Sequence, residues 1–152
     1  MTVPSNTGSR LLGRIPPVAL AMLASASLHA EQPILIPLTG AAEVPPVVTA
    51  ATASGQFTVL PDRTVSGSIK ISGMTPTMAH IHEGPAGKNG PPIITLNQAA
   101  GNVYAAPAGA KLSEAQYTSY TVGNLYVNVH SKQYPDGEIR AQLPGKPMRL
   151  AN

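Results

Sequence analysis

Residues 125–131 read LYVNVHS. In a strand, successive side chains point to opposite faces. Leu125, Val127 and Val129 then line an apolar face, and Tyr126, Asn128 and His130 line a polar one. It is the strongest strand signal in the chain, and its neighbours repeat the pattern. Downstream, Pro135-Asp136-Gly137 reads as a turn, and Ile139, Ala141 and Leu143 alternate inward in a final strand. Upstream, VSGSIKISG (65–73) turns Val65, Ile69 and Ile71 inward and Ser66, Ser68 and Lys70 outward. SGQFTVLP (54–61) and PILIPLTG (33–40) alternate in the same way, with Pro33 and Pro37 restricting the latter to an edge or strand end. TMAHIHEG (77–84) is a further strand. Residues 93–110 read as one strand followed by a loose segment, and residues 41–53 as an irregular extended crossing. The one helix signal lies in 111–125, with Ser113 as cap and Gly123 as stop.

Short strands at regular spacing predict an all-β fold: an antiparallel, Greek-key-like β-sandwich, superoxide-dismutase-like or immunoglobulin-like. The chain has 152 residues, enough for one domain. It carries 16 Pro, which break helices throughout, and a single Phe, which leaves Val, Ile, Leu and Ala to build the core. There is no Cys. Thiol catalysis, Cys-ligated zinc and iron–sulfur centres are thereby excluded, and any metal must be held by His and oxygen ligands.

Residues 1–30 resemble a secretory signal. Arg10 and Arg14 precede an apolar stretch from Ile15 to about Ala26, and small residues offer cleavage after Ala26 or Ala30. Pro16 and Pro17 interrupt the stretch, which is too short for a membrane span. The expected organisation is a signal at 1–30, one domain at 31–145 and a flexible tail at 146–152, with export to the periplasm or the medium. Cleavage after Ala30 leaves eight Lys and Arg against seven Asp and Glu, a net charge of +1 in place of +3. Near neutrality removes the electrostatic case for nucleic acid or an anionic membrane as partner.

Chemistry centres on AHIHEG (79–84). His80 and His82 share a strand face, roughly 6–7 Å apart along the chain. His130 is the one other histidine beyond residue 30. If the three meet, a thiol-free imidazole set suits copper, with zinc second. The plain alternative is two polar side chains on a wet sheet face, or a ring that fixes the EGPAGKNG loop through backbone carbonyls. Tyr126 and Asn128 share the face of His130 and can support its ring. Glu83 has the opposite parity to the pair and reads as a loop-fixing carboxylate. Asp136 and Glu138 flank a turn, and Arg140 reads as a cross-strand partner of its neighbours. No nucleophile elbow, P-loop or H-E-x-x-H occurs, so no catalytic residue is assigned.

Three segments in order, LTGAAEVPPVVTAATASGQF, AHIHEGPAGKNGPPI and GNLYVNVHSKQYPDGEIRAQL, resemble the CHRD family, named from chordin, over about residues 34–143. The resemblance implies an exported all-β domain. In chordin such domains belong to an extracellular protein that binds growth factors. The histidine layout is also similar to that of copper–zinc superoxide dismutase, and by that analogy His80, His82 and His130 fall on copper-ligand positions. No histidine lies between His82 and His130, so the bridging and zinc ligands of that enzyme have no counterpart. The favoured expectation is a metal-binding, non-enzymatic domain using those three histidines and a copper-like ion. The alternatives are a metal-free extracytoplasmic interaction or adhesion module with an unknown protein partner, and a copper-dependent dismutase-type enzyme.

Overall fold

The structure, a computed structural model, describes residues 1–2 and 32–146. The expected signal, beyond its first two residues, and the expected tail, beyond residue 146, lie outside the described residues.

Among the described residues, eight strands follow in chain order: β1 (Ile34–Thr39), β2 (Thr52–Val59), β3 (Val65–Ser72), β4 (Pro76–Glu83), β5 (Pro92–Ala100), β6 (Val103–Ala105), β7 (Leu125–Ser131) and β8 (Ile139–Leu143). The single α-helix among the described residues, α1 (Glu114–Thr121), joins β6 to β7. Ser113 caps it: the side chain accepts from the Gln116 N–H while the Gln116 side chain accepts from the Ser113 N–H. Gly123 follows with φ of +80°, as the sequence predicts for the stop.

All strand pairs are antiparallel, in the order β1-β2-β3-β6-β5-β4-β7-β8. The β3-β6-β5-β4 portion is a Greek key, because β4, β5 and β6 run on as neighbours while β3 lies beside β6. The expected two-sheet sandwich is corrected. Thr39 pairs with Arg140, which joins β1 to β8 and closes one barrel. Eight strands enclose a space that side chains alone can fill. The core suits that small interior: aliphatic residues from every strand except β6, with Phe57 the one buried Phe and Tyr104 supplied by β6.

A second correction concerns residues 93–110. The segment expected to be loose contains β6, paired to β5 through a two-residue turn at Gly101-Asn102, where Gly101 has φ of +50°. Gly-Asn is one of the pairs that permit such a tight hairpin.

The third difference bears on function. Every residue of β7 is buried, including the polar face of Tyr126, Asn128 and His130. The 43–47 loop, the 84–91 loop and the 134–137 turn cover the outside of the barrel wall there. Beneath them lies a layer of buried polar groups: Glu43, His82, Asn128, His130, Glu138 and Arg140.

Candidate metal centre

His80 and His82 lie on the outer face of β4, with Ala79 and Ile81 anchored in the core on the inner face. The β4–β7 ladder sets Asn128 opposite His80, Tyr126 opposite His82 and Met78 opposite His130. His130 is therefore a diagonal neighbour of His80 on the same face. The expected meeting of the three histidines is present: one ring nitrogen from each lies within 4.8 Å of the others, an arrangement that could hold a metal ion. His80 Nδ1 stands 3.0 Å from His130 Nε2.

Backbone carbonyls fix two of the tautomers. His82 Nδ1 lies 2.8 Å from the Gly90 carbonyl and His130 Nδ1 2.8 Å from the Pro135 carbonyl. A carbonyl only accepts, so each neutral ring carries its proton on Nδ1 and keeps a lone pair on Nε2. Metal-ligating histidines are held in this way, with the second nitrogen donating to a carbonyl or carboxylate. The His130 lone pair accepts from His80 Nδ1. The His82 lone pair is buried and has no hydrogen-bond partner.

Burial lowers the pKa of all three rings below the ordinary 6.5. At His80 the two neighbouring rings lower it further. At His82 and His130 the bonds to Gly90 and Pro135 act in the opposite direction but do not reverse the shift. The neutral, ligating form is favoured near pH 7.

A supporting layer holds the rings. Tyr126 stacks on His82 with centroids 4.8 Å apart, and the Arg140 guanidinium covers the Tyr126 ring at 3.4 Å. The Tyr126 hydroxyl accepts from the Gly90 N–H at 3.0 Å. Gly90 thus meets both His82 and Tyr126, and no other residue fits there: a Cβ would lie 1.8 Å from the Glu83 carbonyl oxygen. Arg140 donates to Asn89 Oδ1, the Lys88 carbonyl and Gln142 Oε1, binding the loop to β8. The expectation of Arg140 as a cross-strand partner is met by its stacking on Tyr126 of β7, whereas Gln142 lies two residues along the same strand.

Glu83 fixes structure as expected, accepting from Ser119 Oγ at 2.5 Å and so tying β4 to α1. Glu138 is buried and accepts from Thr49 Oγ1, whereas Asp136 is exposed. Glu43 is the residue that sequence reasoning missed. It is 5% exposed, and burial raises its pKa from 4.5 to about 7, against the opposing pull of Arg140, the Val44 N–H and Asn128. It stands in the EVPP segment, where two prolines after a lone acid mark a fixed loop without showing where the acid points.

The donor set fits a metal. Bonds of about 2.0–2.1 Å from imidazole nitrogen place adjacent ligands about 3 Å apart, the spacing of His80 Nδ1 and His130 Nε2, and the two become a ligand pair when the His80 proton sits on Nε2 instead of Nδ1. His82 brings a desolvated lone pair that no hydrogen bond among the described residues satisfies. His80 is the least buried of the three, so the group opens to solvent on its side.

A closed antiparallel Greek-key barrel with a three-histidine group on its outer wall defines the class of protein. Within that class the chain belongs to the CHRD domain family, whose match spans residues 34–143, from the first residue of β1 to the last of β8. No curated protein and no solved structure matches the chain. Among the described residues, no helix is long and apolar enough to cross a membrane.

Proposed function

We propose that this chain is an exported CHRD domain that binds a copper-type ion through His80, His82 and His130. One observation carries the reading: carbonyls pin Nδ1–H of His82 and His130, so that their Nε2 lone pairs are offered to one point beside His80. An all-imidazole set without thiolate favours Cu(II), followed by Zn(II). The signal-like residues 1–30 support export to the periplasm or the medium. The role is binding, with the ion stored or handed on. A dismutase-type role requires redox cycling as well, and superoxide assays on the copper-loaded protein separate the two.

Calorimetric titration of the purified protein with Cu(II) tests the reading. The expected result is one ion per chain, with binding lost in both His82→Ala and His130→Ala. Binding that survives in both variants would remove the site and leave the metal-free interaction module.

A further inference from the structure

Three imidazoles leave one side of an ion uncovered. His82 and His130 are buried, so that side lies toward His80, the half-buried member of the group. The register of β4 shows which side chain stands nearest to it.

Met78, His80 and His82 alternate with Ala79 and Ile81, so all three occupy the outer face of β4. The β4–β7 ladder is unbroken from Met78 to Glu83 and sets Met78 directly opposite His130. Residues directly opposite in an antiparallel pair hold their Cβ atoms about 4.5–5.5 Å apart. Met78 therefore neighbours two of the three histidines, His130 across the ladder and His80 along its own strand. Its side chain is unbranched, turns about three bonds and ends in a polarisable thioether. That length and freedom give the sulfur reach over the group.

Burial sets Met78 apart from a packing methionine. Met74, one turn earlier in the chain, packs against the core, whereas Met78 is 45% exposed. A side chain so exposed gains little from packing where it stands. The chain has no Cys, so methionine is its one source of a sulfur donor.

We propose that the Met78 thioether is a fourth ligand, which closes the solvent side of the three-histidine group and allows the site to hold Cu(I). This inference rests on the three-histidine reading and extends it to a three-nitrogen, one-sulfur set. A thioether is a soft donor and selects Cu(I), whereas imidazoles alone serve Cu(II) and Zn(II) as well. Met78 thus makes the site specific for copper in its reduced state.

The test uses Cu(I) alone, added to the protein without oxygen and followed by X-ray absorption. The wild-type spectrum should contain a nitrogen shell and one sulfur scatterer, which in a chain without Cys is a thioether. Met78→Leu conserves volume at an exposed position, where such swaps cost little stability. It should lose the sulfur scatterer and bind Cu(I) at least about tenfold more weakly, since even a group that only supports a ligand contributes 10–100-fold. Its Cu(II) affinity and nitrogen superhyperfine pattern should change little, which separates a lost ligand from a damaged fold. A nitrogen shell without sulfur in wild type, a sulfur scatterer retained in Met78→Leu, or an unchanged Cu(I) affinity would overturn this inference alone. Failure of the wild-type protein to bind copper in either oxidation state would overturn the three-histidine reading together with it.

Discussion

At the scale of single residues, the centre depends on two glycines that no other residue replaces. Gly90 presents its carbonyl to His82 and its N–H to Tyr126. Gly90→Ala forces a Cβ against the Glu83 carbonyl, a backbone atom that cannot swing aside. We expect the variant to lose about 1–3 kcal/mol, the usual cost of overpacking, and to bind Cu(II) more weakly, measured by denaturant titration and calorimetry. Gly137 has φ of +134°, and a Cβ there would run into Glu43 and Asn128. The histidines themselves were legible in the sequence, because His-x-His on a strand fixes a shared face and His130 has the outward parity of its own strand. Their tautomers were not. They depend on carbonyls of Gly90 and Pro135, and local alternation cannot place the backbone of a loop. Glu43 was illegible for the same reason: its neighbour Gly137 is distant in sequence and comes close only when the barrel closes.

At the scale of elements, the 84–91 loop is held by Arg140. Arg140 is 2% exposed, and its guanidinium lies over Tyr126 and donates to the loop carbonyl of Lys88 and the side chain of Asn89. Arg140→Lys keeps the charge but cannot span these acceptors from one planar fork. We expect it to destabilise the protein by roughly 2 kcal/mol, the scale of one lost hydrogen bond from a charged donor. Hydrogen exchange should then quicken in residues 84–91 before it quickens in β2 and β3. Alternation in LYVNVHS located the strand and its two faces, yet it does not show whether the polar face is covered. The face is dry because three separated loops fold over it. Pattern along one strand reports which residues share a face; what covers that face is decided elsewhere in the chain. The β5–β6 hairpin is the opposite case, since Gly101-Asn102 is a local turn signal of the recognised kind.

At the scale of the whole molecule, buried ionisable groups give the metal-free domain two opposed pH dependences. The three histidines have folded pKa values below 6.5. Their contribution is present above pH 6.5 and lost as the pH falls from there through the folded values, because the unfolded chain binds more protons. Glu43 has the reverse sign. Its raised pKa gives stability that is present below 4.5 and lost as the pH rises through about 7. Glu43→Gln should therefore flatten the alkaline loss, gaining roughly 3 kcal/mol on wild type between pH 4.5 and pH 8, as a shift of that size implies. Stability curves from urea titration across that range check the sign. Copper should raise the melting temperature, by a stabilisation of about 2.7 kcal/mol at a free concentration one hundred times Kd. That gain should shrink below pH 6.5 as protons compete for the imidazoles. All-β class and Greek-key order were legible from strand spacing, whereas closure into one barrel depends on the single Thr39–Arg140 pairing and leaves no mark in local sequence.

The central claim is that three imidazoles converge on one ion. Continuous-wave electron paramagnetic resonance of the protein loaded with one equivalent of Cu(II) at pH 7.5 addresses it most directly. The account predicts a single species whose nitrogen superhyperfine pattern fits three equatorial imidazoles and loses one nitrogen in His80→Ala. A spectrum of solvated copper, or one unchanged when His80, His82 and His130 are replaced together, would contradict it.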